Sequence, residues 1–423
     1  MILVAAPTKD VPLRDVEEHL AELARLTDTA GGSVVGTVQQ RLDKPHTKLF
    51  IGEGKAAELR EKVEELGATL VIFDEDLTPS QGRNLETALG KRIMDRAELI
   101  LDIFATRARS SESQMQVELA QLQYMMPRLR RMWTHLSRTR GGSASIGIGG
   151  RGPGETQIET DRRLISHRIR DLREKLEVVA RRRDTQRKGR TDEFRAALVG
   201  YTNAGKSSLM RGLTGSDAFV EDRLFATLDP STRAVELEPG LRLLLTDTVG
   251  FIRKLPHHLV ASFRATLEEA TNADVLLHVI DASHPSWEEH KQVVDEVLAD
   301  LGAGDIPAIL VFNKIDRLTH GEEQGLRERA TALFDTPVVF TTSLEPSGFE
   351  ELRTLLVEQV RARRPEVRIS IPFADGEALA SVYREGEVLS REEGGDAVDL
   401  VARVPSATLG RLRARNGIRV APV

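Results

Sequence analysis

An apolar run, Phe194 to Val199, leads directly into Gly200-Tyr201-Thr202-Asn203-Ala204-Gly205-Lys206-Ser207. This order restricts the fold more than any other feature of the chain. It calls for a strand, a loop whose backbone N–H groups can wrap an anion, and a helix expected to begin near Ser208. A unit of that kind sits in a largely parallel sheet flanked by helices. The glycines permit the wrap, Lys206 has the reach for β- and γ-phosphates, and the Ser207 hydroxyl is a candidate ligand for Mg²⁺. The helix N-terminus adds a favourable dipole. Alone, the loop promises only a bound phosphate.

Later segments narrow that promise. Leu241 to Leu245 reads as a buried strand ending in Asp247-Thr248-Val249-Gly250. An aspartate there holds Mg²⁺ through water, and the Gly250 N–H faces a γ-phosphate. Ala308 to Phe312 is another buried strand, ending in Asn313-Lys314-Ile315-Asp316. The Asp316 carboxylate matches the two donors on the edge of guanine, which adenine lacks. A mismatch of buried polar groups discriminates by ratios on the order of 10⁴. The Lys314 stem would lie over the base. Val338 to Phe340 is followed by Thr342-Ser343-Leu344, where a backbone N–H would meet the guanine O6. Between these lies Phe225-Ala226-Thr227-Leu228-Asp229. Thr227 is the candidate for a second Mg²⁺ hydroxyl and for a γ-phosphate reporter; its alternative is a structural turn. N-K-I-D alone fits any exposed loop. The motifs in order, each after an expected strand, select a guanine nucleotide with Mg²⁺. Lys206, Thr227 and Gly250 are then the candidate catalytic residues.

The rest of the chain surrounds this core. Residues 1–111 alternate strand-like segments (Ile2 to Ala5, Ser33 to Val38, Thr69 to Phe73, and near Leu99 to Ile103) with amphipathic helices at Val16 to Leu26 and Ala56 to Leu66. This argues for a small α/β domain with a largely parallel sheet. Residues 112–190 carry two heptad stripes: Met115, Leu119, Leu122, Met126, Leu129, Trp133 and Leu136, then Ile165, Ile169, Leu172, Leu176 and Val179. They imply two long helices packed as an antiparallel hairpin, the first kinked by Pro127, with a glycine-rich tip at 141–154. Residues 191–364 form the nucleotide domain, and 365–423 a small α/β domain in which the sequence shows no chemistry. The expected fold is therefore a multidomain α/β protein.

Charge is uneven. From Arg128 to Arg190 there are 18 lysines and arginines against seven acidic residues, in a chain of net charge −6. A basic arm on an acidic body fits a nucleic-acid footprint; the plainer reading is a solvated coiled-coil face. Aromatic residues are 4% of the chain, which argues against base-stacking RNA recognition on a sheet. There are no cysteines, as suits a reducing cytosol. No apolar run of about 18 residues predicts a membrane span, and the N-terminus does not read as a signal peptide. Gly52-Glu53-Gly54-Lys55 is too short for a phosphate loop and reads as a helix start. The ten histidines show no metal spacing, and His257-His258 reads as solvated.

The strings G-Y-T-N-A-G-K-S, F-A-T-L-D-P, D-T-V-G-F-I and N-K-I-D, with the hairpin's G-P-G-E-T-Q-I-E-T-D-R-R from Gly152 to Arg163, resemble the HflX family within the Obg–HflX group of GTPases. The resemblance covers essentially the whole chain. It departs at Thr342-Ser343, where the family usually has S-A. It implies a cytoplasmic, monomeric GTP/GDP-binding protein that hydrolyses GTP, binds the large ribosomal subunit and its RNA near the peptidyl-transferase region, and splits or rescues stalled ribosomes. Arg138, Arg140 and Arg151 would contact RNA phosphates. The alternative is a signalling switch whose hairpin docks a protein or makes peripheral contact with an acidic membrane. Ras-like enzymes carry a water-orienting glutamine where this chain has Phe251, so slow intrinsic hydrolysis stimulated by a partner is expected, with Phe251 read as a core residue. Potassium-stimulated GTPases carry an asparagine at the place of Asn203, which makes K⁺ a second candidate cofactor; a loop-stabilising role explains the residue equally well.

Overall fold

Strands form where apolar residues run without a break, and helices where they recur on one face. The computed structural model describes residues 1–129, 153–188, 193–215, 223–254 and 269–423. They divide into two compact units. The first holds Met1–Ala180 with Arg223–Leu228 and Lys254; the second holds the rest.

In the first unit, β1 (Ile2–Ala5), β2 (Gly36–Gln39), β3 (Leu70–Phe73) and β4 (Arg92–Asp95) form a parallel sheet in the order β2-β1-β3-β4. β1 and β3 are buried at every residue, as expected for strands covered on both faces. The second strand begins at Gly36, not Ser33. The expected strand near Leu99 to Ile103 is instead helix Arg96–Arg107, and the fourth strand is Arg92–Asp95. The Asp95 side chain accepts from the Glu98 N–H and caps this helix. Its run is so apolar that Leu99, Ile100, Leu101 and Ile103 are all buried, which hides the helical period. Gly52 precedes helix Glu53–Glu65 as its N-cap, confirming a helix start there.

The two heptad stripes meet. Leu119, Ile169 and Leu172 are buried together, with Met115, Leu122, Met126, Ile165 and Leu176 packed around them. Their helices are Ser111–Met125, which tightens into a 3₁₀ turn at Pro127, and Pro153–Lys188. Arg168 grips Glu118 through two bonds of 2.6 and 2.7 Å. Trp133, Leu136, Arg138, Arg140, Arg151, His257 and His258 lie outside the described residues.

Two segments flanking the nucleotide motifs also pack within this unit. Phe225 meets Phe104 edge-on at 4.7 Å, and the Lys254 ammonium lies 2.6 Å from Asp74 Oδ2. Asp74 is 1% exposed and also binds the fully buried Arg96, which reaches Glu22 on its other side.

In the second unit, β5 (Phe194–Gly200), β6 (Ser231–Glu238), β7 (Leu241–Asp247), β8 (Val275–Asp281), β9 (Ala308–Asn313) and β10 (Val338–Phe340) form one sheet in the order β10-β9-β8-β5-β7-β6. All pairs are parallel except β6–β7. The last segment folds as β11 (Glu366–Pro372), a helix, β12 (Glu387–Gly394), β13 (Ala397–Arg403), a helix, and β14 (Arg419–Pro422). Its four strands are antiparallel, in the order β12-β13-β11-β14. Val367, Ile369, Ile371, Val398, Leu400 and Ala402 alternate into one buried face against the two helices.

Breaking the buried ion cluster tests what holds the first sheet. Arg96→Met leaves Asp74 and Glu22 buried without their shared cation, and is expected to destabilise the unit by about 3–5 kcal/mol. Arg92→Met removes the pair with Glu98 at a side chain that is 59% exposed, and is expected to cost under about 1 kcal/mol. Native-state hydrogen exchange of the β1–β4 amides measures both; equal effects would refute the assignment.

Candidate nucleotide site

Every motif called from sequence in the second unit lies at the C-terminal end of a parallel strand, where open α/β sheets bind ligands. The loop Gly200–Gly205 joins β5 to helix Lys206–Thr214, which begins two residues earlier than expected. Gly205 has φ +99°, and a Cβ on it would lie 2.1 Å from Asn313 Nδ2, so no other residue fits.

Neighbouring strand ends hold the loop. Phe251 N–H donates to Gly200 O at 3.1 Å, and Thr202 N–H to Phe251 O at 2.7 Å. The chain beyond β7 is thus stitched alongside the loop. Phe251 itself is 1% exposed, a core residue as read from sequence. From β9, Asn313 Nδ2 donates to Ala204 O at 2.9 Å, and Lys314 Nζ to Asn203 O at 2.7 Å. Asn203 and Lys314 both adopt left-handed conformations, with φ of 61° and 66°. Tyr201 stacks on His290 with ring centroids 3.8 Å apart, and its hydroxyl accepts from the Arg253 N–H.

The charged groups converge as expected. Ser207 Oγ donates to Asp247 Oδ2 at 2.6 Å, which brings the hydroxyl and the carboxylate expected to serve one Mg²⁺ within reach of each other. Thr248 Oγ1 donates to Leu198 O and fixes the strand end behind Asp247. A Cβ on Gly250 would come within 2.7 Å of Thr202 Cα and 3.1 Å of Lys206 Nζ, so this glycine lies directly against the loop and its lysine. Lys206 Nζ folds back onto the carbonyls of Gly200 and Tyr201 at 3.0 and 2.9 Å. Burial lowers its pKa to about 8, helped by the Lys314 charge and opposed by Asp247.

The base-recognition segment is assembled too. Asp316 is exposed, and Thr342 Oγ1 donates to its Oδ1 at 2.6 Å. Ser343 Oγ donates to Asn313 Oδ1 at 3.2 Å. Thr342 keeps the hydroxyl of the usual serine, and the departure at Ser343 adds a second one, bonded to Asn313. Leu344 N–H returns to Thr342 Oγ1 and closes the turn. Thr227 is half-buried in the segment 223–228 that packs in the first unit. Sequence reasoning missed Asp281, which takes a 2.7 Å bond from Lys314 Nζ. The signal was an acidic residue closing the apolar run Val275 to Ile280.

Family models match three stretches of the chain. Residues 17–105, 107–190 and 195–314 match the family models described as GTP-binding GTPase N-terminal, GTP-binding GTPase Middle Region and 50S ribosome-binding GTPase. A protein named GTPase HflX from Magnetococcus marinus is 46% identical over 99% of this chain and 96% of its own. The chain belongs to the HflX family of GTPases. It binds guanine nucleotide and hydrolyses GTP. The Escherichia coli relative, also named GTPase HflX, is 42% identical over 93% of this chain and 92% of its own. A GTP-binding protein from Sulfolobus solfataricus solved with GDP is 26% identical, with TM-score 0.43, over 85% of this chain and 99% of that one. Among the described residues of this HflX-family chain, no helix is long and apolar enough to cross a membrane.

The buried lysine gives the site a pH signature. Without nucleotide, Lys206 is half-deprotonated near pH 8. A polyphosphate raises its pKa, so binding takes up protons there, and affinity falls as pH rises from about 8 to 9, by a factor approaching ten per unit. Calorimetric titration with GDP in buffers of different ionisation enthalpy is expected to show proton uptake at pH 8.5 and little at pH 6.5. Equal heats in all buffers at pH 8.5 would refute it.

Proposed function

We propose that this GTPase acts on the large ribosomal subunit, binding there in its GTP form and splitting or rescuing stalled ribosomes. The reading is carried by the match of residues 195–314 to the 50S ribosome-binding GTPase model, within a chain that matches its HflX relatives end to end. The basic hairpin supports it. Leu119, Ile169 and Leu172 of its helices pack along an apolar seam, and the 18 lysines and arginines of 128–190 give this part of the chain the charge to engage RNA phosphates. Arg138, Arg140 and Arg151, at or beside the glycine-rich tip, are the proposed contacts.

In this reading each site residue has a role. The N–H groups of Gly200 to Ser208 wrap the phosphates, and Lys206 exchanges the carbonyls of its own loop for β- and γ-oxygens. Ser207, Thr227 and Asp247 are the residues that would hold Mg²⁺, which would neutralise charge on the phosphates. The Gly250 N–H meets the γ-phosphate, with Thr248 and Val249 shaping its approach. Segment 225–229 orders around Thr227 in the triphosphate state. Asp316 selects guanine, Lys314 and Ile315 border the base, and the Thr342–Leu344 turn closes over it. Asn203 is the proposed K⁺ ligand. Catalysis then rests on positioning and charge neutralisation. Phe251 is buried and offers no group to orient water, so hydrolysis by the isolated protein is slow and the ribosome completes the site.

Co-sedimentation with 50S subunits tests the proposal. Binding is expected to be stronger with a non-hydrolysable GTP analogue than with GDP, to fall steeply with salt, and to be lost when residues 141–154 are deleted. Binding that ignores nucleotide, or survives the deletion, sends the hairpin to a protein or membrane partner instead. Replacing K⁺ by Na⁺ is expected to slow hydrolysis, and equal single-turnover rates remove the potassium role from Asn203.

A further inference from the structure

We infer that Asp281 is a positioning residue for guanine-nucleotide binding: it aims the Lys314 ammonium so that one lysine serves the base and the phosphate loop together. The inference rests on the reading of Lys314 as a base-contacting residue.

The argument begins with topology. β8 lies between β5, which carries the phosphate loop, and β9, which carries Asn313 and Lys314. Its last residue, Asp281, pairs in register with Asn313. A side chain at that end of β8 stands between the two nucleotide loops, and no other strand offers such a position. The carboxylate is fixed from one side. Asp281 Oδ1 accepts from the Ser283 N–H at 3.1 Å and from Ser283 Oγ at 2.6 Å, in a side-chain turn built by its own next residues. Its other oxygen, Oδ2, takes the bond from Lys314 Nζ at 2.7 Å. The same ammonium donates to Asn203 O at 2.7 Å. The result is a continuous chain from Ser283 through Asp281 and Lys314 to the phosphate loop.

Three features show that this chain does more than fill space. Lys314 and Asp281 side chains are 15% and 17% exposed, so their pair is largely withdrawn from screening water. Burial works against ionised Asp281, yet the Lys314 charge and the Ser283 bonds hold its carboxyl below the usual carboxylate range. Asn203 and Lys314 each occupy a left-handed backbone conformation that a non-glycine residue holds only when neighbours over-determine it. Remove the carboxylate, and the lysine loses the group that orients it, while Asn203 loses a firmly aimed donor. The lysine stem then no longer lies ready over the base, and the loop N–H groups are less well prepared for phosphate. Asp281 touches neither base nor phosphate in this account; it acts through Lys314.

Four proteins test it: the parent, Asp281→Asn, Lys314→Ala and the double variant. The measurements are GDP dissociation constants and release rates, KM and kcat for GTP, and nucleotide-free thermal midpoints. Asp281→Asn is expected to weaken GDP binding about 10- to 100-fold, the usual range for losing a charged hydrogen bond. The change falls mainly in KM and release rate and less in kcat. The double variant is expected to bind GDP no more weakly than Lys314→Ala alone. Asp281→Glu keeps the charge and is expected to recover part of the loss. Unchanged GDP affinity in Asp281→Asn beside a clear loss in Lys314→Ala overturns the inference. So does a double variant in which the two losses add, or a lowered midpoint with no change in affinity. If Lys314→Ala itself leaves GDP affinity intact, it is the base-contact reading of Lys314 that falls.

Discussion

A phosphate-binding loop has no regular hydrogen-bond ladder of its own, and the whole nucleotide site depends on how this one is held. Its carbonyls and N–H groups are engaged one after another by its surroundings. Phe251 bonds Gly200 and Thr202, Lys314 bonds Asn203, Asn313 bonds Ala204, and Lys206 covers Gly200 and Tyr201. These partners come from three places: the extension of β7, the end of β9, and the first residue of the following helix. The strand order β9-β8-β5-β7 puts β5 at the centre, so its loop is within reach of both sides. A buried backbone group without a partner costs a few kcal/mol. The loop's shape is therefore imposed from outside and is ready before a nucleotide arrives.

Charge follows the same logic. The Lys314 charge disfavours the Lys206 ammonium, and Lys206 is almost fully buried. Asp247 and Asp281 stand behind them, each near a hydroxyl. The two lysines are thus matched by two carboxylates. A polyphosphate relieves the desolvation of the lysines where water cannot. The first unit uses a comparable device without a ligand: Arg96, Asp74, Glu22 and Lys254 form a buried or half-buried cluster at the C-terminal ends of its strands. Lys254 lies only four residues beyond Gly250, and Phe225 two residues before Thr227.

Legibility in the sequence varied with the kind of signal. The strands β5, β7, β9 and β10 were readable because each is a largely apolar run ending in a motif. The hairpin seam was readable because a heptad stripe has only one efficient partner, a second stripe; Leu119, Ile169 and Leu172 do pack together. The segment Leu99 to Ile103 misled because a helix apolar on nearly all sides carries no period. β12 and β14 escaped for the opposite reason. Glu387 to Gly394 is mostly polar, and Arg419 to Pro422 is short; both are edge strands stabilised by pairing with β13 and β11 more than by their own composition. At Thr342 and Ser343, which depart from the usual S-A pair, the hydroxyls bond Asp316 and Asn313, partners that the sequence alone does not reveal.

By itself, the sequence determined the chemistry of the nucleotide site. Gly205, Lys206, Ser207, Asp247, Asn313 and Asp316 were legible by residue type and order, because groups of these kinds suit a polyphosphate, a magnesium ion and a guanine edge. Tertiary structure decided how the groups are held. Asp281 carries no motif, and its place between the two nucleotide loops exists only because β8 is inserted between β5 and β9. Phe251 changes from a missing glutamine into a backbone clasp once β7 runs alongside the loop. The physical reason is range: a motif records what touches the ligand, whereas the groups that aim and neutralise those residues come from strands distant in the chain.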